Sequence, residues 1–338
     1  MKKIAVVILN YNGAQMLRDF LPSVLQFSPE AEVVVADNAS TDESVHVMRC
    51  EFPDVRLVLL DKNYGFADGY NRALRQVEAE YYLLLNSDVE VTPGWLAPML
   101  AFMDENVGVA ACQPKLLSYK QKTMFEYAGA AGGFLDIYGY PFCRGRIFDT
   151  VEQDNGQYDS VTDLFWATGA ALMIRAADYW SAGGLDGTFF AHMEEIDLCW
   201  RLRARGRRIV CITCSVVYHV GGATLSKSNP RKTFLNFRNN LLMLYKNLPA
   251  AELRSVMFRR ALLDYVAALK YLLSGNLPDF KAVVKARSEF AKIKSQYAGI
   301  RAENIEKSIC DDIPERVKFS ILWQYYARGK KQYNELTK

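Results

Sequence analysis

Glu194, Glu195 and Asp197 place three carboxylates within four positions, between Phe189-Phe190 and Trp200. A carboxylate held within reach of a hydroxyl can take its proton. On a helix Glu194 and Asp197 share a face, and Glu195 points elsewhere. A solvated acidic first turn, favoured by the helix dipole, is the plainer alternative, and the flanking aromatics argue against full solvation. Asp88 closes the run Asn86-Ser87-Asp88, with Glu90 next in line. There it could hold a hard divalent cation that offsets the charge of a departing diphosphate, or it could simply serve a turn. His219, ahead of Gly221-Gly222, is either a further metal ligand or a lone structural histidine. Asp37, with Asn38, Ser40 and Asp42 after it, suits a nucleobase or ribose and equally suits a helix cap. Asn63-Tyr64-Gly65-Phe66-Ala67-Asp68-Gly69 leads into a helix bearing Asn71. A glycine-containing loop at a helix N-terminus suits phosphate, and it also suits an ordinary strand-to-helix turn. Cys211-Ile212-Thr213-Cys214 has CxxC spacing without a second pair, and reads as buried structural thiols in a strand.

The elements that must position these residues alternate. Ile4–Leu9 is an unbroken apolar run, as in a strand buried on both faces. Residues 14–27 pattern as an amphipathic helix, and 32–36 as a second strand ending at Asp37. Ser40 or Thr41 is placed to cap the next helix. Strands follow over 55–60 and 81–85, with a helix over 69–80 between them. The alternation implies a parallel, doubly wound α/β sheet. Ligands bind beyond the carboxyl ends of such strands. Three of those ends carry polar clusters: Asn10-Tyr11-Asn12, Asp37-Asn38-Ala39-Ser40 and Asn86-Ser87-Asp88. Residues 113–165, rich in Gly, Tyr and Phe, read as loops and short strands. Residues 164–175 read as a strand, 189–205 as a loop entering a helix that Gly206 stops, and 208–218 as another strand. Beyond Phe234 the pattern is mostly helical.

The 338 residues, 50% of them hydrophobic, suffice for one large domain or two. Seven scattered cysteines fit a reducing compartment. Ile4–Leu9 is too short for a signal-peptide core, and no uncharged apolar run reaches the ~18 residues of a membrane span. These features place the active domain in the cytoplasm. Residues 1–230 carry 20 Lys and Arg against 28 Asp and Glu, a net −8; residues 231–338 carry 21 against 10, a net +11. An acidic body makes a nucleic-acid partner improbable, and the basic tail suits an anionic surface such as the inner face of the plasma membrane.

In their order, these motifs resemble the family 2 inverting glycosyltransferases of GT-A fold, in particular the rhamnosyltransferase-like branch that builds cell-surface polysaccharides. The resemblance runs through Val7-Ile8-Leu9-Asn10-Tyr11-Asn12, Asp37-Asn38-Ala39-Ser40-Thr41-Asp42, Asn63-Tyr64-Gly65-Phe66-Ala67 with Asn71, Leu85-Asn86-Ser87-Asp88, Thr168-Gly169-Ala170, residues 183–198, His219 and Arg238-Asn239. It implies a catalytic domain over 1–245, with a nucleotide-sugar half (1–112) and an acceptor half (113–245), and a helical basic region over 246–338. It implies that Asp37 contacts the pyrimidine base, that Asn10, Tyr11, Asn12 and Ser40 line the base pocket, and that Asn63, Gly65, Phe66, Asn71, Asn86 and Ser87 serve the donor. Asp88 and His219 would hold Mg²⁺ or Mn²⁺. Glu195 would be the general base, with Glu194 and Asp197 positioning the acceptor or the helix; Thr168, Gly169, Ala170 and Arg238 would lie on the acceptor side. Two departures stand out. Asn86 opens the DxD-like motif and removes one carboxylate, and Glu195 stands where Asp is more usual, extending the carboxylate by ~1.5 Å.

The partners so implied are a nucleotide-sugar donor and a glycan or polyprenyl-linked acceptor. Leu253–Leu273 in the basic tail is either an interfacial helix on anionic lipid, or a helix packed on the catalytic domain or on a second subunit of a homo-oligomer. Arg259, Arg260, Asp264 and Lys270 interrupt its apolar face. A protein of this fold that binds a nucleotide-sugar without turnover is the main rival reading. A nicotinamide-dependent oxidoreductase is disfavoured by the absence of GxGxxG after Ile4–Leu9.

Overall fold

The computed structural model describes residues 2–221 and 229–336; Gly222 of the glycine pair after His219 lies outside them. The chain begins β1 (Ile4–Asn10), α1 (Ala14–Phe27), β2 (Ala31–Asp37), α2 (Ser44–Glu51), β3 (Arg56–Leu59), α3 (Gly65–Leu74) and β4 (Tyr81–Asn86). It continues through β5 (Val89–Val91), α4 (Ala97–Glu105), β6 (Val109–Ser118) and four short strands, β7 (Gly133–Leu135), β8 (Pro141–Cys143), β9 (Arg146–Ile147) and β10 (Thr150–Val151). Then come β11 (Thr162–Asp163), β12 (Ala171–Arg175), α5 (Ala176–Ser181), α6 (Glu194–Ala204) and β13 (Arg208–His219). Further helices follow: α7 (Pro230–Asn247), α8 (Ala250–Leu273), α9 (Leu277–Ile293), α10 (Ala298–Glu306) and the short α11 (Tyr333–Leu336).

Strands β4, β1, β2 and β3 are parallel neighbours, as the alternation requires. Beyond β4 the sheet turns mixed: β12 runs antiparallel between β4 and β6, and β13 parallel to β6. Strands β7–β10 form a separate antiparallel sheet. Successive side chains of β1 enter opposite layers. Ile4, Val6 and Ile8 pack with Leu17, Leu21 and Val24 of α1, whereas Ala5 and Val7 pack with Tyr70 and Leu74 of α3. That double burial is why the sequence of β1 is apolar without alternation.

Four expectations for local structure shift. Helix α3 starts at Gly65, four residues early, and ends at Leu74. Helix α2 starts at Ser44, so neither Ser40 nor Thr41 caps it; Asp42 Oδ1 takes the Ser44 amide instead, at 3.0 Å. Residues 164–170 are irregular, between β11 and β12. Cys211 is buried but Cys214 is exposed, in a register break of β13 between Ile212 and Val216.

The C-terminal helices share the main core rather than building one of their own: Val256, Phe290, Tyr297, Ile313 and Ile321 pack with the residues beneath α3 and α6. Val317 donates to the Leu135 carbonyl of β7 at 2.8 Å, and Ile321 N–H to buried Asp136 at 3.0 Å. Burial pushes the Asp136 carboxyl up to about 6, although three amides bond to it. On α8, Arg260 and Asp264 point inward and are almost fully buried. Asp264 lies 3.1 Å from Arg260 and 2.6 Å from Arg287 of α9, and Arg260 also donates to Asn240 of α7 at 2.8 Å. Removing one member of a buried ion pair leaves uncompensated charge, which costs about 3–5 kcal/mol. Asp264→Ala is therefore expected to lower unfolding free energy by about 3 kcal/mol or more, read as a fall in the urea midpoint; an unchanged midpoint refutes the account.

Candidate active site

The parallel strands end in register: Asn10 lies opposite Asp37, and Leu9 opposite Asn86. Asn10 Nδ2 donates to Asp37 Oδ2 at 3.1 Å and to Ser40 Oγ at 3.2 Å, while the Ser40 amide donates to Asp37 Oδ1 at 2.8 Å. Ser40 Oγ also accepts from the Asn12 amide, and Asn12 Oδ1 from the Thr41 amide. Asn12 and Ala39 take left-handed φ values of 52° and 60° to close these turns. The result is one polar cup, in which Asn10 and Asp37 are buried and Tyr11 is 43% exposed. Gly13 faces Asn10 and Ser87 across it; a Cβ there would meet Asn10 Oδ1 at 2.4 Å.

Asp88 and His219 are both buried at the next strand end, with Asp88 Oδ1 3.1 Å from His219 Nε2. Asn86 Nδ2 lies 3.4 Å from the same ring nitrogen. The other ring nitrogen, Nδ1, faces Glu126 Oε2 at 3.3 Å. Burial alone would raise the Asp88 carboxyl; the bond and charge of His219 outweigh it and hold the carboxyl below the usual range. For His219, burial opposes the charged form, but Asp88 and Glu126 push the imidazole up to about 10. Metal-binding histidines commonly present one nitrogen to the cation and turn the other toward a carboxylate. Asp88 and His219, with Glu126 facing Nδ1 but not hydrogen-bonded to it, are the residues here that could hold Mg²⁺ or Mn²⁺ once the Asp88–His219 contact opens. Among the described residues no three His, Cys, Asp or Glu side chains converge into a complete cage. Glu90 does not join; it pairs outward with Lys122 at 2.6 Å. Glu126 escaped the sequence reading because it sits in the loop-rich stretch, where no periodicity announces a pairing with His219.

The approach to α6 is strained. Phe190, His192 and Met193 hold left-handed φ values of 64°, 72° and 73°. Such conformations cost roughly 1–2 kcal/mol per non-glycine residue, and they persist where the surroundings over-determine them. Asn239 Nδ2 donates to the carbonyls of Phe189, Ala191 and His192 at 2.8–2.9 Å. Arg238, expected on the acceptor side, donates to the Thr188 carbonyl at 2.9 Å and so serves the same loop. The Phe190 carbonyl in turn accepts from the amides of Phe66 (2.6 Å) and Ala67 (3.2 Å), and Asn63 Oδ1 accepts from Gly65 N at 2.8 Å. This corrects one expectation: the first amides of α3 are occupied within the protein and leave no phosphate cradle at Gly65 and Phe66. Gly65, at φ +73°, is required for the join, since a Cβ would lie 2.5 Å from the Phe190 ring. Asn71 is a positioning residue as well. Buried, it donates to the Leu185 carbonyl at 2.7 Å and accepts from Tyr179 Oη and Leu185 N.

The three carboxylates of α6 part company. Asp197 is fully buried and bonded by Arg201, Lys246 and Asn247 at 2.8–3.0 Å. Burial raises its carboxyl, but Lys246 and Arg201 outweigh that and hold it low. It is the anchor of α6 and not an acceptor contact. Glu194 is also buried, yet among the described residues it has no cation, and one oxygen on each of Glu194 and Glu195 is buried without a hydrogen-bond partner there. Burial pushes Glu194 well up, with Glu195 adding to it, and pushes Glu195 up to about 7. Gly169 fits beside them: a Cβ there would be 3.0 Å from the Phe66 ring and 3.9 Å from Glu195 Cβ. One residue on, the Ala170 carbonyl accepts from Asn86 N at 3.0 Å, and Thr168 N donates to buried Gln113. The segment Thr168-Gly169-Ala170 therefore spans from Glu195 to the Asn86–Asp88 end of the donor cup.

Known proteins match this arrangement. The family model described as Glycosyl transferase family 2 matches residues 5–161. The O-antigen biosynthesis protein RfbC of Myxococcus xanthus is 27% identical over 223 residues, 64% of this chain but 17% of that protein. An N-acetylglucosaminyl-diphospho-decaprenol L-rhamnosyltransferase of Mycobacterium tuberculosis is 25% identical over 233 residues, 64% of this chain and 75% of that protein. A crystal structure of GalNAc-T7 with UDP, GalNAc and Mn²⁺ superposes with a TM-score of 0.59 at 15% identity, covering 88% of this chain and 57% of that one, a likeness of fold. Sheet, cup and motif order agree with these matches: residues 5–161 match the family 2 glycosyltransferases, and the chain has the GT-A fold.

Proposed function

We propose that this protein moves a sugar, with inversion at the anomeric carbon, from a nucleoside-diphosphate sugar (dTDP-rhamnose or a UDP-hexose) to a hydroxyl of a glycan or polyprenyl-linked acceptor in cell-surface polysaccharide synthesis. The observation that carries the transfer chemistry is Glu195: a carboxylate buried near the strand ends, with one oxygen unpartnered and its pKa near neutral. A base tuned close to working pH is what removal of a hydroxyl proton in a transfer reaction requires. The rhamnosyltransferase among the relatives, by name specific for a diphospho-decaprenol, supports a lipid-linked acceptor.

The cup of Asn10, Asp37 and Ser40 supplies the acceptors and donors that would seat the base and ribose. Asp88 and His219 would hold Mg²⁺ or Mn²⁺, and such an ion supplies counter-charge to a departing diphosphate. Glu126 fixes the His219 ring. Glu195 takes the acceptor proton, and the oxygen so activated attacks the anomeric carbon opposite the nucleoside diphosphate. Glu194, protonated in its dry site, adds no second negative charge beside the base. Asp197 keeps α6 in place through its two cations.

Glu195→Gln is expected to cut kcat by about 10²–10⁴-fold, the usual contribution of a positioned base. In the wild type kcat/KM is expected to rise through about pH 7 and then level off, because the base must be ionised. The raised carboxyl is protonated in the fold at pH values where the unfolded chain has already lost its proton. The stability it lends is complete at low pH and is lost as pH climbs through about 7. Above that pH Glu195→Gln should therefore raise unfolding free energy by about 1–3 kcal/mol while activity falls. A variant that is both less active and less stable there contradicts the assignment. Mn²⁺ titration in the presence of UDP should detect binding that Asp88→Ala abolishes and that Glu126→Gln weakens by about 10–100-fold. Equal Mn²⁺ affinity in all three proteins eliminates the metal assignment without reference to turnover.

A further inference from the structure

Helix α8 is built inside out. At 100° per residue its buried positions, Val256, Arg260, Asp264 and Ala268, form one face, and that face contains the helix's two buried charges. The opposite face carries Phe258, Leu262, Tyr265, Val266, Leu269 and Leu273, each between 51% and 79% exposed. These six span an arc of about 100° around the helix. The charges that interrupt the apolar pattern in sequence are thus sorted: Arg260 and Asp264 turn inward and neutralise each other, while Arg259 and Lys270 stand at the border of the apolar stripe. Among the described residues no helix is long and apolar enough to cross a membrane, so the stripe lies on a surface and not within a span.

We propose that this face of α8 rests on an anionic lipid surface. Charge decides between lipid and a second copy of the chain. From Leu253 to Ser288 the sequence has seven Lys and Arg but only two carboxylates, Asp264 and Asp279, and both are buried. Arg254, Arg259 and Lys270 consequently flank the stripe on α8, and no exposed carboxylate lies between Leu253 and Ser288. A two-fold contact would bring this cationic rim against its own image. An anionic bilayer receives both features: apolar side chains enter the headgroup boundary and the cations meet lipid charge. Exposed Trp323 and Tyr326 extend the surface with aromatic side chains of the kind that favour that boundary, and Tyr326 adjoins Lys270 at 5.7 Å. The inference stands apart from the transfer chemistry, because it uses no residue of the donor cup or of α6.

The full chain is tested by flotation with phosphatidylcholine vesicles, with and without phosphatidylglycerol. Binding is expected with phosphatidylglycerol, and it should fall as salt is raised. The triple change Leu262→Ser, Val266→Ser, Leu269→Ser should weaken it about tenfold or more. Arg259→Ser with Lys270→Ser should weaken it several-fold and flatten the salt dependence. Both variants alter exposed side chains, so UDP binding and the thermal midpoint serve as controls of folding. No flotation with phosphatidylglycerol overturns the proposal. Light scattering that finds a dimer, dissociated by the triple change, overturns it in favour of a second copy.

Discussion

The Phe190 carbonyl is the joint on which the site depends. It caps α3 by accepting from Phe66 and Ala67, and it sits four residues before a helix whose first two residues are glutamates that each bury an unpartnered oxygen. Helix α3 and the approach to α6 are therefore joined through this peptide group, as well as through the Asn71–Leu185 bonds. Three left-handed residues within four positions would not hold that position unaided. Asn239 supplies the restraint, its one amide group serving three carbonyls of the loop. Strain of this kind fixes where the glutamates enter the site.

The carboxylates of α6 show how neighbouring residues of similar chemistry acquire different roles. Asp197 meets Lys246, Arg201 and Asn247, and is an ionised strut. Glu194 and Glu195, one turn earlier, meet no cation and are raised by burial. Burying a carboxylate without a partner opposes stability. A fold that does so twice in adjacent positions, while pairing the third fully, has placed its instability where proton transfer can use it.

The parallel core was legible because its physics is local and repetitive. A strand buried on both faces must be apolar throughout, as Ile4–Ile8 and Tyr81–Leu85 are, and the polar ends Asn10, Asp37 and Asn86 follow at once. Glu195, Asp88 and His219 were singled out by residue type and motif order together, and stand as the proposed base and metal-holding residues. Properties set by distant partners were not legible. The span of α3 depends on a carbonyl more than a hundred residues away, so its early start and the occupation of its first amides could not be read from the Gly65 loop. Asn71 looked like a donor contact because its partners, Tyr179 and Leu185, are remote in sequence. Glu126 lacked any periodic signal, and α8 looked like a broken apolar stretch until its charges were seen to face inward.

Helix α7 connects these regions by its spacing alone. Asn239 and Lys246 are seven residues apart, two turns along one face, and serve the Phe190 loop and Asp197. Asn240 and Asn247 repeat that interval one residue on: Asn240 accepts from Arg260 of α8, and Asn247 donates to Asp197. One helix thus holds the base-bearing helix and its strained approach on one side, and the inside-out α8 on the other. Each contact is buried and polar, so α7 cannot slide by a turn without stranding several groups at once. The outer face of α8 and the carboxylates of α6 therefore keep a fixed relation. Under the proposed lipid contact, such a relation would let the depth at which α8 rests set the height of Glu195 above that surface.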